Sequence, residues 1–434
     1  MLSWKEEDVL TGFLFIALIC HGMFFAREWL ILGTAFIAAF SFYRLKEYWE
    51  FKDYGQGEET NESAERKECL VELGEGKGKE ARAWLKPVIF FGLMIILSLA
   101  GLLQPVRRVE GYLEAFRWVT FLIAYLWGLK LCTKPELREI FLRRALGIAL
   151  LTVILTWLPG SELIWAMPGP PAQGRFALSF GYPNAAAAFL GCLFILLLAG
   201  KEINFIFLLV FGVSFVSTGS RAAMALLLCF SVSLALKRMI LKFKERALNP
   251  DQQRLLGFYK RAAWTHRSRE EGAKGILLGK VLVLIILLLF MQQTTWRWQS
   301  AIQHLLTWTD TSLAERLLYY FDSLKIAWQA QFRPQAGGWL AFPFVQTAAY
   351  WTLDPHSSLC RILLNQGLLG AVLVIIWAGK GLWGYLKDLL SSTDLTALGL
   401  KTAVAYLGLH SLVDADLSFG FLGILFWLLA GMIR

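Results

Sequence analysis

Gln292 to Ser358 reads QQTTWRWQSAIQHLLTWTDTSLAERLLYYFDSLKIAWQAQFRPQAGGWLAFPFVQTAAYWTLDPHSS, and its last residues are Asp354-Pro355-His356-Ser357-Ser358. It is polar, rich in aromatic residues and lodged between two apolar runs. Other long polar stretches are crowded with Lys and Arg, whereas this one carries only Arg297, Arg316, Lys325 and Arg333. By charge it belongs on the membrane face opposite the basic loops.

The rest of the chain supports that reading. Of 434 residues, 56% are hydrophobic and only 18% charged, and the mean hydropathy is +0.52, far from an average soluble domain. These values predict an all-α, polytopic integral membrane protein. Eighteen Trp and 32 Phe suit a lipid-embedded body with aromatic belts. Apolar runs at 8–25, 29–43, 87–105, 114–133, 145–164, 183–200, 202–217, 221–237, 277–292, 359–379, 397–414 and 418–433 predict about twelve transmembrane helices. Residues 1–291 then hold helices 1–9 with loops 44–86 and 238–276, residues 292–358 form one large loop, and residues 359–434 hold helices 10–12.

Roughly 32 basic residues fall on the face of loops 44–86 and 238–276 and about 11 on the other, so the positive-inside rule makes the first face cytoplasmic. Both termini are then cytoplasmic and 292–358 is extracytoplasmic. The acidic start Lys5-Glu6-Glu7-Asp8 and the lack of a small-residue cleavage site predict no signal peptide. The net charge of +10 sits in loops between spans, which points to topology and membrane lipids and away from nucleic acid. Cys20, Cys69, Cys132, Cys192, Cys229 and Cys360 have neither metal-ligand nor CxxC spacing and read as small hydrophobes.

The 44–86 loop is charged and glycine-rich and reads as partly disordered. Its Gly74-Glu75-Gly76-Lys77-Gly78-Lys79 lacks the spacing of a phosphate-binding P-loop. Loop 238–276, with Arg261, Arg267, Arg269 and Trp264, reads as a surface held by anionic headgroups. Within 292–358, Ser312-Leu313-Ala314-Glu315 has capping-box spacing. Leu313, Leu317, Tyr320, Leu324 and Trp328 follow at helical spacing, opposite Asp322, Lys325 and Gln329. This predicts an amphipathic helix lying on the outer membrane face or packed across the bundle, preceded by a short helix from Trp296 to Leu306.

Four polar clusters fall on the extracytoplasmic side, where each also has a plain structural explanation. Arg175 precedes Gly181-Tyr182-Pro183-Asn184 and an Ala run suited to close helix approach; it could equally snorkel to a headgroup. Ser217-Thr218-Gly219-Ser220-Arg221 puts a guanidinium at a helix start, a good anion site. Glu315-Arg316 could be a solvated pair, and His356 an interfacial histidine bonded to a loop carbonyl. Together, three arginines and a histidine fit a phosphorylated lipid-linked substrate, with Arg on phosphate oxygens and His as general base. Asp414-Ala415-Asp416 has the spacing of a diphosphate-metal motif, but with no companion ligand nearby in sequence it reads as structural or arginine-pairing. No metal or other cofactor is expected.

Gly181-Tyr182-Pro183-Asn184, Ser217-Thr218-Gly219-Ser220-Arg221-Ala222, Glu315-Arg316, Pro355-His356-Ser357-Ser358, Gln366-Gly367-Leu368-Leu369-Gly370 and His410-Ser411-Leu412-Val413-Asp414 together resemble the O-antigen ligase and polymerase superfamily. The resemblance runs in order from about Arg175 to the C-terminus. It implies a twelve-helix bacterial inner-membrane glycosyltransferase of the C type, using an undecaprenyl-diphosphate-linked glycan as donor and transferring it with inversion and without metal. It implies His356 as the catalytic base and Arg221, Arg316 and Arg175 as diphosphate contacts, with Asn184, Ser220, Asp414 and Asp416 in support. This chain has Ser357 where the family commonly has Asn. The acceptor is left open among a lipid-anchored sugar, a growing glycan (a polymerase) and a protein hydroxyl. A transporter or flippase of the same lipids is the alternative of another class; it would place charges near the midplane and show two similar halves, whereas these charges gather at one face.

Overall fold

The computed structural model describes residues 5–54, 85–158, 175–200, 204–246, 311–350, 352 and 354–433. The apolar run 277–292, the short helix expected from Trp296 to Leu306, the glycine-rich part of loop 44–86 and residues 247–276 lie outside them. Among the described residues the regular structure is helical, with no strand. The α-helices are α1 (Glu6–Ile19), α2 (Ala26–Tyr54), α3 (Leu85–Leu103, its last turn 3-10), α4 (Arg108–Thr133), α5 (Pro135–Trp157), α6 (Pro183–Ala199), α7 (Phe205–Ser217), α8 (Arg221–Arg246), α9 (Thr311–Gln329), α10 (Ser358–Ser391), α11 (Leu395–His410) and α12 (Gly420–Gly431).

Each apolar run among the described residues has become a helix. Six are long and apolar enough to cross a membrane: α2 over Ala26–Trp49, α3, α4, α5, α8 over Arg221–Phe243, and α10. The chain is thus a helical, multi-pass membrane protein. Several helices overrun their apolar runs, because backbone hydrogen bonding continues through polar flanks once a helix is nucleated. α5 starts at Pro135, where the missing N–H costs nothing, so the connection expected between the fourth and fifth spans shrinks to Lys134. α6 likewise starts on Pro183, and Asn204 caps α7 by accepting from Ile206 and Phe207 N–H at 3.1 and 3.3 Å.

The chain forms two compact units, Met1–Ala145 with Asp310–Ala378 and Ser411–Arg434, and Leu146–Thr309 with Gly379–His410. In the first, α12 lies directly on α4. Gly128 faces the backbone of Leu428 and Gly431 so closely that a Cβ could not fit, the small-residue contact that lets membrane helices approach. Trp427 packs there among Phe91, Trp118 and Trp377. Lys130 of α4 pairs with Glu6 and with Glu47, the latter at 2.6 Å, and Arg144 pairs with Asp8 at 2.6 Å. In the second unit, α6 is packed by α7, α8 and α11. Its Ala185 to Ala188 are fully buried, and Tyr406 of α11 reaches Ala187 O at 3.0 Å, the close approach the Ala run predicts.

The amphipathic helix is present as α9, starting at Thr311, one residue before the expected cap. Tyr320 meets His356 just before α10, and Leu368 N–H of α10 donates to Phe332 O just after α9, at 3.2 and 3.0 Å. α9 therefore runs alongside the first third of α10, in the same direction. The chain then turns through Gln331, Phe332 and Gly337, all at positive φ, and returns as a 3-10 turn, Gly338–Phe344. Asp322, expected on a polar outer face, is fully buried; it accepts from Tyr350 OH at 2.6 Å and from Thr347 N and Oγ1 at 3.2 and 3.3 Å, which ties the two arms together.

α10 is broken where this returning turn meets it. Gly367 has φ 71° and ψ −172°, a region open essentially to glycine alone. The freed groups are satisfied by the turn, with Leu368 N on Phe332 O and Leu364 O accepting from Gln335 N at 3.1 Å, as irregular backbone at membrane depth requires. A Cβ at Gly367 would lie 2.7 Å from Phe332 O. Gly367→Ala should therefore cost about 2–4 kcal/mol from backbone strain and overpacking combined, read as a lowered melting temperature of the detergent-solubilised protein.

Candidate functional site

His356 occupies the turn between Thr352 and α10. Its N–H donates to Asp354 Oδ1 at 3.0 Å, and its φ of 51° is left-handed, a strained conformation for a residue with a Cβ. Tyr319 of α9 stacks on the ring at 5.5 Å between centroids, and Tyr320 OH donates to His356 O. Nδ1 lies 3.5 Å from Asp414 Oδ1. Nε2 lies 3.2 Å from Thr352 Oγ1, whose own proton is directed to Asp354 O at 2.9 Å.

Arg316 joins the same carboxylate, donating from Nη2 to Asp414 Oδ2 at 2.7 Å. The Asp414 side chain is 1% exposed, whereas those of Arg316 and His356 are each 22% exposed. A desolvated carboxylate thus orients a cation and an imidazole that both reach the surface. Burial by itself would lower the imidazole pKa, but the hydrogen bond and charge of Asp414, with the charge of Asp354, outweigh burial and the Arg316 cation and raise it above its ordinary value.

Beneath His356 lies a buried ionic network. Arg361 Nη1 donates to Asp354 Oδ2 at 3.2 Å and Ser418 Oγ at 2.6 Å, and Nη2 to Glu114 Oε2 at 3.2 Å. Ser418 Oγ in turn donates to Asp354 Oδ2 at 2.6 Å. Arg117 Nη1 donates to Glu114 Oε2 at 2.9 Å, with its guanidinium over the Trp29 ring at 5.2 Å. Glu114, Arg117 and Asp354 are all buried. Along α4, Glu114 stands about 24 Å from Lys130, so the His356 network and the Lys130 cluster occupy opposite ends of that helix.

The second unit holds the remaining candidates. Phe176 N–H donates to Ser217 O at 2.9 Å, which brings Arg175 to the turn before α8. Its Nε donates to Thr218 O at 2.6 Å and its Nη2 to Asn184 Oδ1 at 3.1 Å. Asn184 Nδ2 donates to Tyr182 OH at 3.1 Å, and Ser220 N–H to Thr218 Oγ1 at 3.3 Å. Gly219, at φ 64°, closes the turn that starts α8 on Arg221. Arg175, Asn184, Ser220 and Arg221 therefore gather within this unit, as Arg316, His356 and Asp414 gather within the first.

Of the two acids of the Asp414-Ala415-Asp416 motif, Asp414 has the arginine-pairing role expected for it, and Asp416 is fully buried at the start of a 3-10 turn. Among the described residues no group of three or more His, Cys, Asp or Glu could hold a metal ion. Sequence reasoning overlooked Arg361, Glu114, Arg117, Asp354 and Thr352. The available signal was charge inside apolar runs: Glu114 and Arg117 are one turn apart in α4, and Arg361 lies in the first turn of α10. Comparison with protein-family models, curated proteins and solved structures gives no match for this chain.

Three outcomes follow from the network. Because the folded His356 pKa lies above the unfolded value of about 6.5, its contribution to stability is complete below that pH and is lost as pH rises through the raised value. In Asp414→Asn burial should prevail, so the His356 pKa, followed by histidine carbon shifts, should fall below its ordinary value. Arg361→Ala leaves Glu114 and Asp354 short of a partner and should cost about 3–5 kcal/mol in denaturant unfolding.

Proposed function

We propose that this protein is a membrane glycosyltransferase of the C type, with about twelve spans, acting on the extracytoplasmic face of a bacterial inner membrane. It transfers an undecaprenyl-diphosphate-linked glycan to an acceptor hydroxyl, as the likeness to O-antigen ligases and polymerases implies. The observation that carries the reading is the His356 ring, with Nδ1 toward buried Asp414 and Nε2 toward a hydroxyl at 3.2 Å.

In this reading the acceptor hydroxyl takes the place of Thr352 Oγ1 at Nε2. Nε2 accepts its proton while Asp414 stabilises the imidazolium that forms, the division of labour of a carboxylate-histidine pair. The acceptor oxygen bonds to the anomeric carbon from the face opposite the leaving group, which inverts it. The anomeric carbon–oxygen bond breaks, and undecaprenyl diphosphate leaves with the electron pair. Arg316, beside the base, is assigned to diphosphate oxygens, whose charge guanidinium groups match in the transition state, and the likeness to the family implies the same role for Arg175 and Arg221. Asn184, Ser220 and Asp416 support these groups. The raised pKa of His356 suits a base working near neutrality.

The break of α10 at Gly367 favours a second reading, a transporter of the same lipids, since broken helices mark transport sites. Reconstituted protein given donor and acceptor separates the two, because only the transferase releases undecaprenyl diphosphate. His356→Ala should lower turnover by about 10²–10⁴-fold with donor binding retained, whereas Arg221→Ala and Arg316→Ala should weaken both. Thr352→Val should keep turnover, because its hydroxyl only marks the acceptor's place. Full turnover in His356→Ala, or translocation without product, would sink the transferase.

A further inference from the structure

Among the described residues, none covers the outward face of α9. Leu317, Phe321, Leu324 and Trp328 are each more than half exposed, and at 100° per residue they fall within a sector of about 60°. The opposite face, with Tyr319, Ser323, Ile326, Ala327 and Ala330, is buried and packs on the returning arm through Trp339 and Phe342. Lys325 and Gln329 border the stripe on one side only. On the returning turn, Phe344 is 88% exposed.

The depth of this stripe is fixed by α10. Tyr320 meets His356 at the start of that helix, and Phe332 meets Leu368 about 15 Å further along it. Trp328 touches Phe332 at 5.9 Å between centroids, and from Leu368 the exposed apolar surface continues down α10 through Leu369, Val372, Ile375 and Ile376. α10 is one of the helices long and apolar enough to cross a membrane, so its exposed face is a lipid face.

We infer that α9 is a re-entrant helix whose Leu317–Phe321–Leu324–Trp328 stripe is seated in the acyl chains of one bilayer leaflet, continuous with the lipid face of α10. Hydrocarbon is the occupant because the stripe shares its surface and its depth with a membrane-spanning helix, and its residues are apolar enough to favour that medium. The seat is independent of the reaction at His356. It also has a consequence for the site: Tyr319, Tyr320 and Arg316, which meet His356 and Asp414, ride on a helix held in lipid rather than on a loop in water.

The test uses the full chain in phospholipid nanodiscs, with the native cysteines replaced by serine and a nitroxide placed at Leu317→Cys, Leu324→Cys, Trp328→Cys, Lys325→Cys or Val372→Cys. Collision with oxygen should exceed collision with a water-soluble nickel complex severalfold at Leu324→Cys and Trp328→Cys, as at Val372→Cys. The oxygen-to-nickel ratio should rise from Leu317→Cys to Trp328→Cys and be severalfold lower at Lys325→Cys. Nickel access at Leu324→Cys equal to that at Lys325→Cys would place the stripe in water. An immobile label shielded from both reagents would mean that protein, such as a second copy, covers it. Either result overturns the inference. Should a variant fail to fold, the unmodified chain can be photolabelled with a diazirine on a lipid acyl chain. Adducts on both the α9 stripe and α10 support the seat, and adducts on α10 alone refute it.

Discussion

The bridge that Arg361 makes between Asp354 and Glu114 is the contact on which the first unit depends. It joins α10 to α4, and through Ser418 it also holds the turn that leads into α12. Desolvating so many charges is expensive, and it is tolerable only because each carboxylate meets more than one donor. Asp354 gains most from this. With one oxygen held by Arg361 and Ser418, its other oxygen accepts the His356 N–H, which helps to hold His356 in a backbone conformation that costs energy. Specific geometry at His356 is thus maintained from below, by charge pairs, and from the side, by the Tyr319 ring.

A second constraint is the requirement that every backbone group at membrane depth find a partner. α10 breaks at Gly367, and the returning arm after α9 meets the backbone groups that the break releases. A Cβ at Gly367 would occupy the path of the arm. Among the described residues, it is the arm that meets the groups freed at the break. This mutual fit places α9 beside α10 and so delivers Arg316 and Tyr319 to Asp414 and His356. Asp322, buried between the two arms, secures the same hairpin from within.

Much of the site could be read from residue types. His356 and Asp414 were visible as polar groups at the edges of apolar runs, Arg316 as a charge on the amphipathic stretch between two of them, and Arg175 and the 217–221 turn as polar groups beside helix starts. Their partners were not visible. Glu114 and Arg361 are separated by 247 positions, and nothing local in either stretch announces the other. Asp322 was misplaced for a related reason: on the helical wheel it lies with the polar residues, but a neighbouring arm covers that edge and provides three donors. Thr352 is an unremarkable loop residue until the fold brings its hydroxyl to the imidazole.

The sequence by itself determined that this is a helical membrane protein, where the helices of its described apolar runs lie, and that its basic loops and His356 belong to different polar segments. Those properties follow from transfer of side chains and backbone between water and hydrocarbon, which is summed locally along the chain. Only the tertiary structure decided that α9 runs beside the start of α10, that α10 breaks at Gly367, and that Asp414 serves both Arg316 and His356. These depend on pairings between distant segments, where the stability of a buried charge or an open helix turn is set by what the rest of the fold brings against it.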